Sequence, residues 1–402
     1  MASNLYRDFH ADKIDPNELE FFLMSQFSST YGRPSNNKWG IFDNDNNTLF
    51  EIDYNKSGAI KSITAGNCVS KEKIKEISRK ITNEFIENSN YCVSRNIVFT
   101  RVPFIGFTKI HDTLQIIEIE EDAPKAISSI ITFEHPLVIE FLHKKFENPH
   151  LNASSLLNKK SRIINFLNAM IIEHIFENEY SGLTWVTHED LKEKSRQGYK
   201  YYLFNNFKAS SELFTNLENK RHAQFVDHLD YYQSNAGIMV SEPLKIPNNL
   251  SYNYSLYLNM DKNQRNKFDN AAYWFYKACR NFSSSKSLAI LSLSSTIEAL
   301  KNDFTEHAKC DHCGAISGAT KNFKRTFEIL APGIEPRTLN SFYEARSQLT
   351  HGNRISFSEE SLFLNGHLQR FEDQMVRNWF YAARIALVNY LIPAVRAKLI
   401  EN

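Results

Sequence analysis

Two residues in the last third of the chain have side chains that can act together on a phosphodiester. In the stretch EARSQLTHGN, residues 344–353, Arg346 lies five positions before His351, and Gly352 follows directly. A histidine that exchanges a proton near neutral pH can act on a ribose 2′-hydroxyl or on a leaving oxygen. The planar, charged guanidinium of arginine matches the oxygens of a phosphate. The pair therefore has the groups needed to cleave RNA without a metal.

The element that must position these two residues is a helix that begins near Pro336. A proline fits the first turn, where its missing N–H would be unpaired, and Gly352 suits the left-handed position just past a helix end. His351 would then lie in the last turn, where free carbonyls favour a protonated imidazole. Five residues turn a helix by about 140°, so Arg346 and His351 do not share one face. Two copies packed about a twofold axis would bring both pairs into one groove.

A purely structural interpretation uses the same residues. A histidine in a last turn often only bonds the terminal carbonyls, and Arg346 can pair with a neighbour on its own helix such as Glu344.

The surrounding sequence predicts helices from about residue 261 to the end. The first carries an apolar stripe of Phe268, Ala272, Phe275, Cys279 and Phe282. Ser284 or Ser285 can cap the second, SLAILSLSSTIEALKNDF, whose predicted buried residues include Leu288, Leu291 and Leu300. The third lies around Phe323, Phe327 and Leu330, the fourth is RTLNSFYEARSQLT, and the last contains Phe371, Met375, Ala382 and Ile385 before Pro393. Five helices with short connections are typical of a bundle.

The preceding residues predict a mixture of strands and helices. Phe50, Ile52 and Tyr54 alternate with acidic residues before the turn residues NKSG, which predicts a hairpin. Ser70 can cap the next helix, and NIVFTRV and TLQIIEI predict further strands. Helical patterns follow from about residue 136, most clearly in SRIINFLNAMIIEHIF, and residues 234–260 have the composition of a connection. The predicted fold class is α+β, with a mixed α/β domain at 1–240, interpreted as a sensor or regulatory domain, and an all-α helical bundle at 250–402.

Composition restricts the class of protein. The 402 residues include 30 Phe and 18 Tyr against 13 Gly and 11 Pro, which is typical of a folded chain of about two domains. We expect a cytoplasmic protein without a membrane partner. The first residues, MASNLYRDFHADKIDPNELE, lack the basic start and apolar stretch typical of a signal peptide, no apolar run approaches the length of a membrane span, and five cysteines form a poor disulfide framework. Residues 261–402 hold 19 Lys and Arg against 14 Asp and Glu, a mildly basic part that tolerates a phosphate backbone.

A family resemblance is carried by YEARSQLTHG and by the upstream LAILSLSSTIEAL, residues 288–300. These segments resemble the Apea-like HEPN domain family, whose signature places a tyrosine, an arginine and HG at these intervals. The likeness covers about residues 265–392. It implies a HEPN-like helical bundle that dimerises and is a metal-independent endoribonuclease, with Arg346 and His351 as the catalytic pair and Tyr343 and Ser347 in support. In the members that are nucleases, the position after the arginine is often Asn, Asp or His. Here that position is Ser347, whose hydroxyl can donate or accept a hydrogen bond but cannot titrate.

A second motif, EHAKCDHCGA, predicts a possible structural zinc site. Cys310 and Cys313 form a C-x2-C pair, and His307 lies three residues earlier. A tetrahedral zinc site needs four ligands, so Cys279 or another residue would have to complete it. The alternative is a pair of reduced thiols in a polar loop. No cofactor is expected to be required for catalysis.

The function predicted from the sequence is a ribonuclease effector of the toxin or abortive-infection type in antiviral defence. Its partners would be RNA, a second copy of the chain, and a phage or cellular trigger sensed by the first domain. One alternative is a non-catalytic HEPN module that binds nucleic acid or a nucleotide. Another is a plain dimerisation unit, with any chemistry in the first domain. The RNA target and the trigger do not follow from the sequence.

Overall fold

The computed structural model describes residues 4–35, 38–55, 58–88, 90–119, 135–177, 210–233, 243–282, 284–301, 319–350 and 366–399. Sheets dominate the N-terminal part of these residues and helices the C-terminal part, which is the mixed α+β class that the sequence predicts. Contacts divide the chain into unit 1, made of Met1–Ser94, Leu142–Lys160 and Ser210–Leu213, and unit 2, made of Arg95–Phe141, Ser161–Ala209 and Phe214–Asn402.

Unit 1 contains an antiparallel sheet in the order β1-β2-β3-β4. Its strands are β1 (Thr30–Ser35), β2 (Lys38–Asp43), β3 (Thr48–Tyr54) and β4 (Ile60–Ala65), and it also holds helices α1 (Pro16–Ser25) and α2 (Lys71–Ile81), the latter followed by a π-helical turn, Thr82–Glu87. The predicted hairpin is confirmed as β3 and β4, with Ile52 opposite Ile63 and both buried. Ser70 caps α2 as predicted, since its side chain accepts a hydrogen bond from the Lys73 N–H at 3.1 Å.

A second sheet has the order β6-β7-β8-β5-β9. Its strands are β5 (Tyr91–Thr100), β6 (Phe107–His111), β7 (Leu114–Glu118), β8 (His135–Lys144) and β9 (Ser210–Ser211). The predicted strands NIVFTRV and TLQIIEI are confirmed as parts of β5 and β7. The expectation of helix from residue 136 is wrong, because 135–144 form β8. This strand lies between β7 and β5 and buries Leu137 through Phe141 on both faces, so its sequence lacks alternation.

Helix α3 (Pro149–Met170) begins earlier and ends earlier than the predicted helical run. Asn168 explains the early end, because its side chain bonds both the N–H and the carbonyl of Ile175, at 3.0 and 2.7 Å. Residues 171–175 therefore turn, and Phe176 exchanges two backbone hydrogen bonds with Phe99.

The stretch expected to be a connection is partly ordered structure. Strands β10 (Phe225–Val226) and β11 (Ile246–Pro247) pair in parallel, and helices α4 (His228–Gln233) and α5 (Leu250–Leu258) flank β11 along the chain. Leu250, Tyr254 and Tyr257 are buried at helical spacing in α5, a period that the many Asn and Ser residues obscure. The division into domains at 1–240 and 250–402 stays a prediction.

The predicted C-terminal helices are confirmed in the described residues. They are α6 (Lys262–Asn281), α7 (Lys286–Leu300), α8 (Ala319–Leu330), α9 (Pro336–Thr350) and α10 (Gly366–Tyr390), followed by the short α11 (Pro393–Lys398). Ser285 caps α7 and accepts a hydrogen bond from the Leu288 N–H at 3.1 Å. Leu288 itself is 51% exposed, so its predicted burial is wrong: the cap places it on the outer face, while Ile290, Leu293 and Ile297 face inward.

Aromatic packing fixes α9 against its neighbours. Trp379 of α10 is fully buried, and its ring stacks on Phe342 of α9 with centroids 4.2 Å apart. Phe327 of α8 contacts both rings at 5.8 and 5.9 Å. Such aromatic clusters contribute more than their buried area alone and leave α9 little freedom to slide or rotate. Within the described ranges, no helix combines the length and the hydropathy that crossing a lipid bilayer requires.

Candidate active site on helix α9

Arg346 continues the buried stripe of α9 toward the end of the helix. Leu339 and Phe342, three positions apart, are 4% and 1% exposed, and Arg346 follows one turn after Phe342 on the same side. The arginine stem thus lies along the margin of the apolar core, and 27% of its side chain stays accessible. A side chain held in this way has a restricted guanidinium position while its charged end still reaches solvent.

The guanidinium forms an ion pair with a different helix. Its Nη2 donates to Oε1 of Glu298, which lies near the end of α7 and is 33% exposed. Since Arg346 has five N–H donors and this contact uses Nη2, the group retains the capacity to bind a second anion. The partner that the structure gives Arg346 is therefore Glu298, and not Glu344 of the same helix. The Glu344 carboxylate instead accepts a hydrogen bond from the Gln348 amide at 3.1 Å.

Two aromatic rings flank the same guanidinium. Its Cζ atom lies 5.9 Å from the ring centroid of Tyr343 and 6.0 Å from that of Phe323 on α8. These distances are at the outer limit of cation–π attraction. The two rings also place apolar surface beside the Arg346 guanidinium. A phosphate that contacts the guanidinium next to apolar surface is bound more strongly than in open water. Tyr343 thus lies beside Arg346, and its supporting role stays a prediction.

Polar side chains also lie near Tyr343 and in the last described turn of α9. Lys324 of α8 lies with its Nζ 6.0 Å from the Tyr343 ring and donates to the Asn340 side chain at 2.6 Å. Ser347 is half-buried beside Arg346. In the last described turn, the Thr350 hydroxyl donates to the Arg346 carbonyl at 2.8 Å, which satisfies one of the carbonyls left free at a helix end.

Four predicted site residues lie outside the described residues. They are His351, which directly follows Thr350 in the sequence, and the possible zinc ligands His307, Cys310 and Cys313. Their predicted roles stay predictions. Cys279, considered as a completing zinc ligand, lies on α6, where burial raises the pKa of its thiol to about 12. Among the described residues, no group of three or more His, Cys, Asp or Glu side chains is arranged to hold a metal ion.

Glu298 is a further residue of this site, and no role for it follows from the residue spacing in the sequence. Glu298 belongs to the segment STIEAL, which carries part of the family resemblance. Its place in that segment is the sequence feature that could have identified it as a site residue. The spacing of residues in the sequence does not predict the contact between Glu298 and Arg346. Helices α7 and α9 are separated along the chain by α8 and by residues outside the described ranges.

Taken together, the Arg346 guanidinium is a partly exposed cation that pairs with the Glu298 carboxylate and lies beside two aromatic rings. A site of this kind can hold a phosphate oxygen and stabilise negative charge that develops on it. No family model, no curated protein and no solved structure matches the chain.

Proposed function

We propose that this protein is a HEPN-type endoribonuclease whose catalytic pair is Arg346 and His351. The observation that carries the proposal is the contact between Glu298 and Arg346. These residues belong to the two separate segments, STIEAL and YEARSQLTHG, on which the resemblance to the Apea-like HEPN family rests. A charged contact that joins the two segments through the predicted catalytic arginine is more informative than either segment alone.

The proposed reaction is an internal transesterification followed by release of the RNA 5′-hydroxyl fragment. The 2′-hydroxyl loses its proton as its oxygen bonds to the adjacent phosphorus, and the bond from phosphorus to the 5′-oxygen breaks as that oxygen gains a proton. His351 exchanges one of these protons and solvent water exchanges the other, while Arg346 donates to the phosphoryl oxygens as negative charge builds on them. The products are a 2′,3′-cyclic phosphate and a 5′-hydroxyl. DNA lacks the attacking hydroxyl and is not cleaved.

Glu298 is a positioning residue in this scheme. Its carboxylate holds one side of the Arg346 guanidinium, which directs the other N–H groups toward the substrate. Removing the carboxylate should lower kcat more than it changes KM, because the ground-state charge of Arg346 remains. Glu298→Asp should restore part of the rate that Glu298→Gln loses.

The biological role that follows is that of a cytoplasmic effector, active as a homodimer in antiviral defence. Twofold packing would bring two copies of Arg346 and His351 into one groove, as expected from their different helix faces. The alternative function is binding of nucleic acid or a nucleotide without cleavage, for which the same Arg346 charge is sufficient.

The test uses the full-length chain with matched variants. Arg346→Ala is compared with Arg337→Ala, since Arg337 is an exposed arginine on the same helix α9. His351→Ala is compared with His150→Ala, an exposed histidine of α3. Each protein is incubated with a broad RNA panel in the presence of EDTA, and the 3′ ends are analysed for 2′,3′-cyclic phosphate. We expect the two site variants to lose at least about 100-fold in rate, the scale of one catalytic donor or acid, and the two controls to retain it.

The outcomes separate the hypotheses. Full activity of folded His351→Ala or Arg346→Ala would contradict the catalytic assignment. Wild-type protein that binds the RNA panel and leaves it intact, with binding lost in Arg346→Ala, would favour the binding module. Expression in a bacterium, with growth and RNA integrity followed for the same variants, tests the toxin role, and site variants as toxic as wild type would exclude it.

A further inference from the structure

A second cation borders the Tyr343 ring on α9 besides Arg346. Lys324 of α8 places its Nζ atom 6.0 Å from the centroid of this ring, and the Arg346 Cζ atom lies 5.9 Å from the same centroid. The two charges are therefore no farther apart than the sum of these distances. Helices α8 and α9 each contribute one positive charge beside a single aromatic ring.

A hydrogen bond anchors Lys324 to α9. Its Nζ atom donates to the Asn340 side-chain oxygen at 2.6 Å. Asn340 and Arg346 each lie three residues from Tyr343, in opposite directions along the helix, so both are neighbours of Tyr343 on the surface of α9. The tyrosine thus lies between the two cations. Six residues of an α-helix rise about 9 Å, which is the span of this surface along α9.

The two cations differ in how far their charges are compensated. Arg346 pairs with the Glu298 carboxylate, whereas the partner that the structure gives Lys324 is the neutral amide of Asn340. An amide oxygen accepts a hydrogen bond but does not cancel the ammonium charge. The composition of α8 has the same sign, since residues 319–330 contain three basic residues and one acidic residue. This surface is therefore complementary to a polyanion.

The Tyr343 ring is held in place from below and is still accessible. It packs against the ring of Phe323, whose side chain is buried, with centroids 6.0 Å apart. Tyr343 and Lys324 are themselves only half-buried. A ring that is already positioned loses little conformational freedom when a ligand packs against it.

We propose that Lys324 and Arg346 bind two consecutive phosphates of a single-stranded RNA, with the intervening nucleoside against Tyr343. The proposal rests on the proposed function, in which Arg346 binds the scissile phosphate, and it adds Lys324 as the contact for the next phosphate. Proteins bind single strands through basic side chains that follow the backbone and aromatic rings that stack on the bases. In a duplex the bases are stacked inside the helix and do not reach such a ring. The substrate class is therefore an unpaired RNA segment.

The test measures how full-length protein binds 2′-O-methyl oligouridines, which lack the attacking hydroxyl and stay intact. Calorimetry compares a dinucleotide that has one phosphate with a trinucleotide that has two. The second phosphate should raise the affinity of wild type by about tenfold, the scale of one charge-assisted hydrogen bond. Lys324→Gln removes the charge and keeps a group that can bond Asn340, so this gain should disappear. The matched control Lys75→Gln, which alters an exposed lysine of α2, should retain the gain.

A longer probe tests the charge and the strandedness of the ligand. The affinity for a 2′-O-methyl decamer is measured at several salt concentrations. The slope of log affinity against log salt should be shallower by about 0.7 in Lys324→Gln than in wild type, the value for one phosphate contact to a single strand. The same decamer annealed to its complement should bind more weakly than the single strand, because its bases cannot reach Tyr343.

Three results would overturn the proposal. They are a gain from the second phosphate in Lys324→Gln equal to that of wild type, an unchanged salt slope in this variant, and equal binding of single strand and duplex. Absence of binding of any probe to wild type would overturn it as well. The nuclease assignment is judged separately: cleavage of RNA with no effect of Lys324→Gln on binding would remove only the second phosphate site, and Lys324-dependent binding without cleavage would remove only the nuclease.

Discussion

Replacing Glu140 with glutamine should destabilise unit 2 strongly although the side chain keeps its shape. Glu140 of β8 is fully buried. Its Oε1 accepts from Arg95 Nε at 2.7 Å and from the Thr215 hydroxyl, and its Oε2 accepts from the Gln115 amide at 2.7 Å and from the Thr215 N–H at 2.9 Å. The carboxylate thus serves four donors that come from three other segments. These hydrogen bonds attach Thr215 to the sheet.

The size of the effect follows from what the amide cannot do. The new –NH₂ group would face donors in place of acceptors, and Arg95 would lose its anionic partner. Breaking a buried, hydrogen-bonded ion pair by removing one charge costs about 3–5 kcal/mol, and we expect Glu140→Gln to lower the unfolding free energy by that amount.

Equilibrium unfolding in urea, followed by circular dichroism, measures this difference. The matched control is Asp112→Asn, which breaks an ion pair with Lys109 of the same 2.7 Å length, but one whose carboxylate side chain is 84% exposed. The control should leave the unfolding free energy close to that of wild type, because exposed ion pairs contribute little to stability. If Glu140→Gln behaved like the control, the argument that burial makes this network important would be refuted.

Three further outcomes are expected. Gly106→Ala should cost more unfolding free energy than Gly333→Ala, because both glycines have positive φ, at 86° and 99°, but a Cβ on Gly106 would lie 2.4 Å from the Arg221 carbonyl oxygen while one on Gly333 meets nothing within 4 Å; equal losses in urea unfolding would contradict the clash. The pKa of His174 is about 3 in the folded chain against 6.5 as its ordinary value, so the unfolded state binds a proton first as the pH falls. Stability should then fall from pH 6.5 toward 3 by about 1.4 kcal/mol per pH unit from this residue, and His174→Gln should flatten that part of a stability–pH profile; an unchanged slope would argue against burial of the imidazole. A double-mutant cycle on Glu298→Gln and Arg346→Gln should give a coupling of about 0.5–1 kcal/mol in thermal unfolding, typical of a partly exposed ion pair, and a zero coupling would mean that the pair does not fix the guanidinium.

Local patterns in the sequence predicted those elements whose stability depends on local chemistry. The β3–β4 hairpin follows from alternation on a sheet, and Ser70 and Ser285 are caps whose bonds span only three residues. The helix start at Pro336 follows from the missing N–H of proline. Each of these signals is contained within a few positions of the chain.

Long-range contacts produced the elements that the sequence analysis missed. Strand β8 is buried on both faces, so its sequence does not alternate, and Glu140 within it resembles a surface residue until Arg95 is brought beside it. Helix α3 ends where Asn168 bonds to Ile175, although the apolar pattern continues to Phe176. The same limit applies to the site. Arg346 was predicted from its spacing to His351, whereas the contact with Glu298 depends on how α7 packs against α9.

The path of the chain between the two units restricts how this protein can be made and dissected. The backbone passes from one unit to the other within β5, within β8 and within α3, and again on either side of residues 210–213. During synthesis, unit 1 therefore cannot complete its fold until residue 213 has emerged from the ribosome. Unit 2 cannot complete its fold until α11 has emerged. A fragment beginning at residue 250 would lack the sheet segments that belong to unit 2, so truncation disrupts both units at once. Point substitutions in the intact chain are the appropriate tool for assigning its activities.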